Sequence, residues 1–226
     1  MDELSTAKRF ITKLWNASRF ALTHLQDIGF NEDIELMPAD RWIIERCRQT
    51  AADARELLEQ YEIGSARHKI DDFFWKDLCD DYFEIVKERL YKPEIYGFKE
   101  RRSAQRALYD CMLNILKLYA VYVPHITEYI YQEYFRQYEK AVSLHKLRWE
   151  TGKAVDNEMI LFGERLKEII AETRKYKTEH ALSMKAEIEE VVIDTDERFA
   201  ELFKQSLNDI KACCRAKEVK IRKIEK

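Results

Sequence analysis

Glycine and proline are scarce in this chain: five glycines and three prolines among 226 residues, where average usage would supply about 27 of the two together. Few tight turns and few close backbone approaches can be built from so small a stock. A β-sandwich, a β-propeller and a Gly-rich nucleotide-binding fold are therefore disfavoured. The sequence also lacks any apolar run near the ~20 residues of a membrane span and any signal-peptide core, so the expectation is a soluble, cytoplasmic protein without a membrane partner. Its five cysteines are odd in number, only Cys213 and Cys214 are adjacent, and no C-x-x-C occurs. Neither a zinc site nor a disulfide framework is indicated, and reduced thiols are the plain reading. Basic residues are not in excess either. The net charge is -3, which excludes a globally basic nucleic-acid binder and leaves room only for a local patch. What is present is 36% charged and 46% hydrophobic residues, the composition of long amphipathic helices.

The apolar spacing predicts a mainly α chain. A first helix is expected from about Leu4 to Ile28, with Phe10, Leu14, Ala17, Ala21, Leu25 and Ile28 at three- and four-residue steps and Gly29 as its cap. A loop follows at Asn31–Glu35. Pro38 opens a second helix, carrying Trp42, Ile43, Cys47, Ala51, Ala54, Leu58 and Tyr61, that stops at Gly64. Ser65 is a suitable N-cap for a third, running to Tyr91 before Pro93. A fourth spans about Lys99 to Tyr122, and Pro124 opens a fifth to about Tyr138. Five long helices with short connections make an antiparallel bundle. Beyond about Glu150 the pattern changes to helix (157–177), strand (186–194, its alternation interrupted by Val192), helix (Phe199 to Ile210) and a final edge strand through Val219, Ile221 and Ile224. This reads as a small α/β unit. No internal repeat or low-complexity tract occurs.

Candidate chemistry is sparse. The run Asp71, Asp72, Asp77, Asp80, Asp81 and Glu84 could suggest a metal or acid/base pair, but it alternates with Phe73, Phe74, Leu78 and Tyr82, so it reads as a solvated or ion-paired face. Lys69, Lys76, Lys87 and Arg89 stand at helix-neighbour distances to balance it. The five histidines are scattered, and no H-E-x-x-H, nucleophile elbow or Walker A sequence is present. The first helix is more suggestive. Lys8, Arg9, Lys13 and Arg19, with Trp15 and Phe20, lie outside its apolar stripe. Interleaved cations and aromatics can hold phosphates and stack unpaired bases. Trp15 borders the stripe and is assigned to the core. The tail from Lys211 to Lys226 has seven basic residues against Glu218 and Glu225, a second candidate for phosphate contact or simply a solubilising terminus.

Arg9–Phe20, R-F-I-T-K-L-W-N-A-S-R-F, resembles the opening of the anticodon-binding bundle of valyl-tRNA synthetases. Four further segments agree in order: Ala39-Asp-Arg-Trp-Ile-Ile44, Phe74-Trp-Lys-Asp-Leu-Cys-Asp-Asp-Tyr-Phe-Glu84 with Lys87, Pro124-His-Ile-Thr-Glu128 and Ser143-Leu-His-Lys-Leu-Arg-Trp149. Residues 157–194, with Arg174-Lys-Tyr-Lys177 and Leu182-Ser-Met-Lys185, are similar to the small domain that follows the bundle in that family. The resemblance implies an anticodon-binding bundle over residues 1–150 and a small α/β C-terminal domain over 151–226. It implies tRNA(Val) and the catalytic domain of a parent synthetase as partners, with no DNA or membrane. The H-I-G-H and K-M-S-K-S signatures of class I catalytic halves do not occur, nor does the coiled-coil arm of many bacterial members, and Asp81 stands where the family often has Trp. The expectation is thus a C-terminal portion of the enzyme, inactive alone, with ATP and Mg needed only by the catalytic domain and no cofactor in this portion.

By resemblance, Arg19 and Phe20 fall where the family contacts the anticodon, with Asn16, Lys13 and Arg9 earlier on the same helix. Phe20 offers a ring to an unstacked base and Arg19 a donor to a base edge or phosphate. Asn16 can read a base edge or only support helix packing. Lys220, Arg222 and Lys223 complete the candidate tRNA-binding set. The competing reading is a helical protein–protein interaction module with a synthetase-like fold that does not read tRNA.

Overall fold

Most helices form where the 3.6-residue apolar spacing placed them, but the first ends at His24 rather than Ile28, so Gly29 is not its cap. The computed structural model of the chain describes residues 3–29, 34–149 and 154–224, and the side chains from residue 5 onward. The loop expected at Asn31–Glu35 and the tail residue Lys226 lie partly or wholly outside these residues. Helix α1 is Glu3–His24, α2 Pro38–Glu59, α3 Ile63–Asp72, α4 Phe83–Tyr91, α5 Pro93–Tyr96, α6 Phe98–Tyr119, α7 Pro124–Ile130, α8 Arg136–Glu139 and α9 Asn157–Glu179. They are followed by β1 Ile188–Thr195, α10 Glu197–Gln205, α11 Leu207–Cys214 and β2 Ala216–Lys223. The fold is mainly α with a small α/β part, as the spacing implied.

Several boundaries differ for identifiable reasons. The second helix stops at Glu59 because Tyr61 takes a left-handed backbone (φ 62°), and Gly64 lies inside α3. Ser65 is therefore no cap; its hydroxyl donates to Glu62 Oε2 (3.2 Å). The expected third helix widens to π-helical geometry over Phe73–Tyr82, and the fifth does so over Tyr131–Phe135. The helix expected through Ile210 breaks at Ser206 into α10 and α11. With few glycines available, non-glycine residues also take the left-handed turn at Lys140 (φ 59°), Ala181 (φ 53°) and Arg215 (φ 52°), each beside a helix end. Each such residue costs roughly 1 kcal/mol that glycine would not.

The chain packs as two units, each assembled from separated stretches. The first comprises Met1–Asp33, Arg46–Cys79 and Gln105–Val155; the second comprises Ile34–Glu45, Asp80–Ala104 and Asp156–Lys226. In the first unit the apolar stripe of α1 is buried at Phe10, Leu14, Ala17, Ala21 and Leu25. Phe10, Phe74 and Tyr119 meet edge to face, with centroids 4.8 to 6.4 Å apart. Arg67 lies over the Phe10 ring at 4.3 Å and donates to both oxygens of Asp71 (2.9 and 3.0 Å). Asp71 also accepts from the Tyr119 hydroxyl (2.7 Å), and burial with this carboxylate pushes the phenol's pKa up. Aromatic pairs of this geometry add ~0.5–1.5 kcal/mol beyond area burial.

In the second unit a charged cluster lies in the core. Asp40, fully buried in α2, accepts from Tyr82 (2.6 Å), from both terminal nitrogens of Arg89 (2.8 and 2.7 Å) and, through a very short contact, from Ser103. Ser103 in turn accepts from the Met37 amide (2.8 Å). Arg89 Nε stands 3.0 Å from Asp209 Oδ1 on α11, and the other Asp209 oxygen is buried without a hydrogen-bond partner. Nearby, Trp42 is buried so close to Gly163 on α9 that a Cβ there would meet the indole at 1.9 Å. β1 and β2 pair in parallel, Val191 opposite Val219 and Ile193 opposite Ile221. Parallel pairing needs a crossover, which α10 and α11 supply. Val191 and Ile193 face the core while Val192 faces solvent, which explains the interrupted alternation. Phe162 of α9 packs on Phe203 (5.0 Å), and Lys177 donates to the carbonyls of Ala186 (2.7 Å), Cys214 (2.9 Å) and Met184 (3.3 Å).

Two consequences are measurable. Lys140 is exposed at the end of α8, so Lys140→Gly should raise the unfolding free energy by ~0.5–1 kcal/mol in urea titrations. A decrease would show that the left-handed turn carries no strain. The second concerns Asp209, whose carboxyl is pushed up to about 6 from the usual 3.8, first by burial and then, against the pull of Arg89, by Asp40 and Glu100. Between about pH 4 and 6 the folded state holds a proton that the unfolded chain has released, so this group's contribution to stability falls as pH rises through that window. The unfolding free energy of the parent minus that of Asp209→Asn should therefore drop by on the order of 2 kcal/mol from pH 4.5 to 7.5. A flat difference would mean that Asp209 titrates normally.

Candidate nucleic-acid interface

Of the two basic segments, only α1 presents cations without carboxylates among them. No Asp or Glu occurs between Leu4 and Gln26, although more than a third of the chain is charged. The helical period sorts its polar side into two adjoining rows. One is Arg9, Lys13, Asn16 and Phe20; the other is Lys8, Thr12, Trp15 and Arg19. Both lie outside the stripe of buried Leu14, Ala17 and Ala21. Over Lys8 to Phe20 the face is roughly 18 Å long, at 1.5 Å per residue.

The position of this face is fixed from beneath. Phe10 anchors one end of α1 in the aromatic cluster. At the other, Gln105 of α6 donates to the His24 carbonyl (2.6 Å) and to Asp27 (2.8 Å). Phe20 is half-buried, its ring edge-to-face with His24 at 5.0 Å. Lys13 is half-buried too, with its ammonium 4.1 Å over the ring of Trp75, a cation–π contact of ~0.5–2 kcal/mol. Arg9, Asn16 and Arg19 are exposed. The exposed hydroxyls of Thr12 and Thr23 are turned back onto the Lys8 and Arg19 carbonyls (2.9 and 2.8 Å).

Trp15 departs from the expectation. It is not core: it is 37% exposed, and its ring lies 6.0 Å from that of Tyr129 on α7, itself 52% exposed. The spacing rule failed because Trp15 follows the buried Leu14 at the rim of the stripe, where one helical step decides between core and solvent. Trp75 and Tyr129 are the partners that sequence reasoning missed. Helical periodicity within α1 carried no signal for either, because both come from distant helices.

The C-terminal cations are arranged differently. β2 sets them beside the acids of β1 and the start of α10. Lys217 pairs with Glu189 (2.7 Å), Lys220 with Glu190 (2.6 Å), and Lys223 with Glu197 (2.6 Å). Arg222 holds Asp194 with two bonds (2.5 and 2.7 Å). The Asp194 carboxyl is lowered by that hydrogen bond, and Lys217, Lys220 and Arg222 are raised by theirs. The local excess of positive charge read along the sequence is thus largely balanced across the strand pair. Lys220, Arg222 and Lys223 stay together on one strand, in a different unit from α1.

The acidic run behaves as a paired face. Asp72 binds Lys76 (2.8 Å), Asp77 binds Arg46 (2.9 Å), Glu84 binds Lys87 (3.2 Å) and Asp81 lies 3.9 Å from Arg174. Arg89 was expected to serve that face and instead is buried between Asp40 and Asp209. Among the described residues, no three His, Cys, Asp or Glu side chains are grouped to hold a metal, and no helix is long and apolar enough to cross a membrane. All five cysteines are free thiols.

A helical unit whose exposed basic helix carries aromatics suits contact with structured RNA. Comparison with known proteins agrees: the family model for the anticodon-binding domain of tRNA ligase matches residues 40–193. The chain belongs to that family. Among curated relatives, valine–tRNA ligase of Methanopyrus kandleri is 36% identical over 219 residues, covering 94% of this chain and 23% of the relative. The enzymes of the same name from Pyrococcus abyssi (36%) and Thermococcus kodakarensis (35%) cover 86% and 96% of the chain, and 22% and 24% of their own lengths are matched. This anticodon-binding domain therefore spans under a quarter of the length of the relatives it matches. The segments that carried the resemblance include structural ones. Asp40 and Trp42 of the A-D-R-W-I-I segment, and Tyr82 of the third segment, are buried in the second unit, and Glu128 of the P-H-I-T-E segment accepts from the Ser143 hydroxyl (3.0 Å) and the Leu144 amide (2.9 Å).

Proposed function

We propose that this domain recognises the anticodon stem and loop of tRNA(Val) as the C-terminal, non-catalytic part of a valine–tRNA ligase, and that α1 is the reading helix. The observation that carries this reading is the acid-free polar face of α1, held rigidly by Phe10 and Gln105 and presenting Arg9, Asn16, Arg19 and Phe20 together. Solvent-exposed cations bind phosphates, and an accessible aromatic ring accepts a splayed base. The chain's relatives, named as valine–tRNA ligases, support the choice of tRNA. In this proposal the catalytic domain of the parent is the second partner and supplies the ATP- and Mg-dependent chemistry; no residue of this chain is assigned a catalytic role or a cofactor. Lys220, Arg222 and Lys223 are secondary contacts, since a phosphate there must displace Glu190, Asp194 or Glu197.

Two measurements test the proposal. Phe20→Ala should weaken tRNA(Val) binding about ten-fold or more with the fold intact, because a stacked base is worth ~1–3 kcal/mol. If the variant binds like the parent while an anticodon-swapped tRNA loses affinity, Phe20 is not the reader. If tRNA(Val) binds no better than bulk tRNA at moderate salt, the interaction-module reading replaces this one. The second measurement is the slope of log affinity against log salt. Neutralising Lys8, Arg9 and Arg19 should flatten it by roughly two, at ~0.7–0.9 per phosphate contact. Neutralising Lys220, Arg222 and Lys223 should flatten it by less than half as much. An equal or larger effect at β2 would reverse the ranking.

A further inference from the structure

Beside the proposed reading row, α1 carries a second aromatic feature that the reading does not use. Ile11, Trp15 and Arg19 follow at four-residue steps, so they form one line on the helix surface. Ile11 (42%) and Trp15 are exposed, and Tyr129 extends the apolar surface from α7 with its ring tilted 37° to the indole. The first unit contributes all of these groups, which makes the patch part of a single packed body. A buried role does not explain the pair, since both rings are open to solvent. Lys8 and Arg19, which bracket the patch along α1, make no ion pair among the described residues.

We propose that Trp15 and Tyr129 form a stacking platform for an unpaired nucleotide of the bound RNA, separate from the Phe20 contact, with Lys8 and Arg19 holding the phosphates on either side. The proposal rests on the tRNA-binding reading above and deepens it. The occupant follows from charge and shape together. An exposed aromatic pair bracketed by cations, on a stretch without carboxylates from Leu4 to Gln26, matches a planar base on an anionic backbone. An apolar protein segment would leave Lys8 and Arg19 without partners. The two rings are 6.0 Å apart, too close to admit a base between them at ~3.5–4.0 Å on each side. The base therefore lies across their open faces, with Ile11 beside its sugar.

The test compares the chain with its Trp15→Ala, Trp15→Phe and Tyr129→Ala variants, each checked for an unchanged thermal melt. Probes are tRNA(Val), a short single-stranded RNA and an abasic ribose-phosphate chain of the same length. Trp15→Ala and Tyr129→Ala should each lower tRNA(Val) affinity about five-fold or more, and Trp15→Phe should keep most of it. The parent's preference for base-bearing over abasic RNA should shrink in the alanine variants. Unchanged binding, or equal losses on RNA and on the abasic chain, overturns the platform. Should Trp15→Ala fail to fold, the more exposed Tyr129 decides alone. If Phe20→Ala loses affinity while these variants do not, the stacking inference fails and the tRNA reading stands. If the parent does not bind tRNA at all, both fail together.

Discussion

The second unit depends on one guanidinium. Arg89 faces two buried carboxylates, Asp40 from α2 and Asp209 from α11, and its NH1 also donates to the Glu100 carbonyl at 2.7 Å. Burying an ion pair gains little over a well-packed apolar core, whereas removing one partner costs ~3–5 kcal/mol. Such a cluster therefore specifies an arrangement more than it adds stability. Three elements that are distant in sequence, α2, α4 and α11, can satisfy the charges in one register only, and Ser103 of α6 completes the ring. The cluster also has one positive charge for two carboxyls. Asp40 takes the good hydrogen bonds, and Asp209 is left with a poorly aligned contact and a bare oxygen. Burial and the neighbouring carboxylate then explain why it is Asp209 that retains a proton to higher pH.

The first unit solves a different problem, that of holding a helix still while leaving much of one side of it exposed. Phe10 enters an aromatic cluster whose polar edges are all occupied, Tyr119 and Arg67 both bonding Asp71. Gln105 grips the far end of α1 through the His24 carbonyl and the Asp27 carboxylate just beyond it. Neither anchor draws on the polar rows, and Arg9, Asn16 and Arg19 stay exposed. Lys13 is the intermediate case, its stem half-buried and its charge on Trp75, in the manner of cations that pack as well as solvate. A helix fixed this way loses little conformational freedom when a ligand arrives, which is where preorganised surfaces gain affinity.

Much of this was legible in the sequence, and the failures share a cause. Periodicity located α1, α2, α6, α9 and both strands because each has a continuous apolar stripe or an alternating pattern. It misplaced the end of α2 because the left-handed residue is Tyr61 and not the available Gly64, a choice made by packing. It assigned Arg89 to the acidic surface because Asp80, Asp81 and Glu84 are near in sequence, while Asp40 and Asp209 are 49 and 120 positions away. It placed Trp15 inside because nothing local announces Tyr129. Local chemistry was readable, and long-range pairing was not.

The two basic segments show why counting charges along a chain misleads about polyanion binding. The tail holds the denser run of lysine and arginine, but a parallel partner strand rich in glutamate and aspartate lies alongside it, and each pair at 2.5 to 2.7 Å would have to open for a phosphate. Counterion release, the main source of nucleic-acid affinity, is reduced where a cation is already held by a carboxylate, as Lys217, Lys220, Arg222 and Lys223 are. α1 has fewer basic residues, yet 23 consecutive positions without a carboxylate. A protein of net negative charge can therefore bind RNA through one face. What matters is where the acids are absent, and in this chain that place coincides with the helix on which Trp15 is exposed.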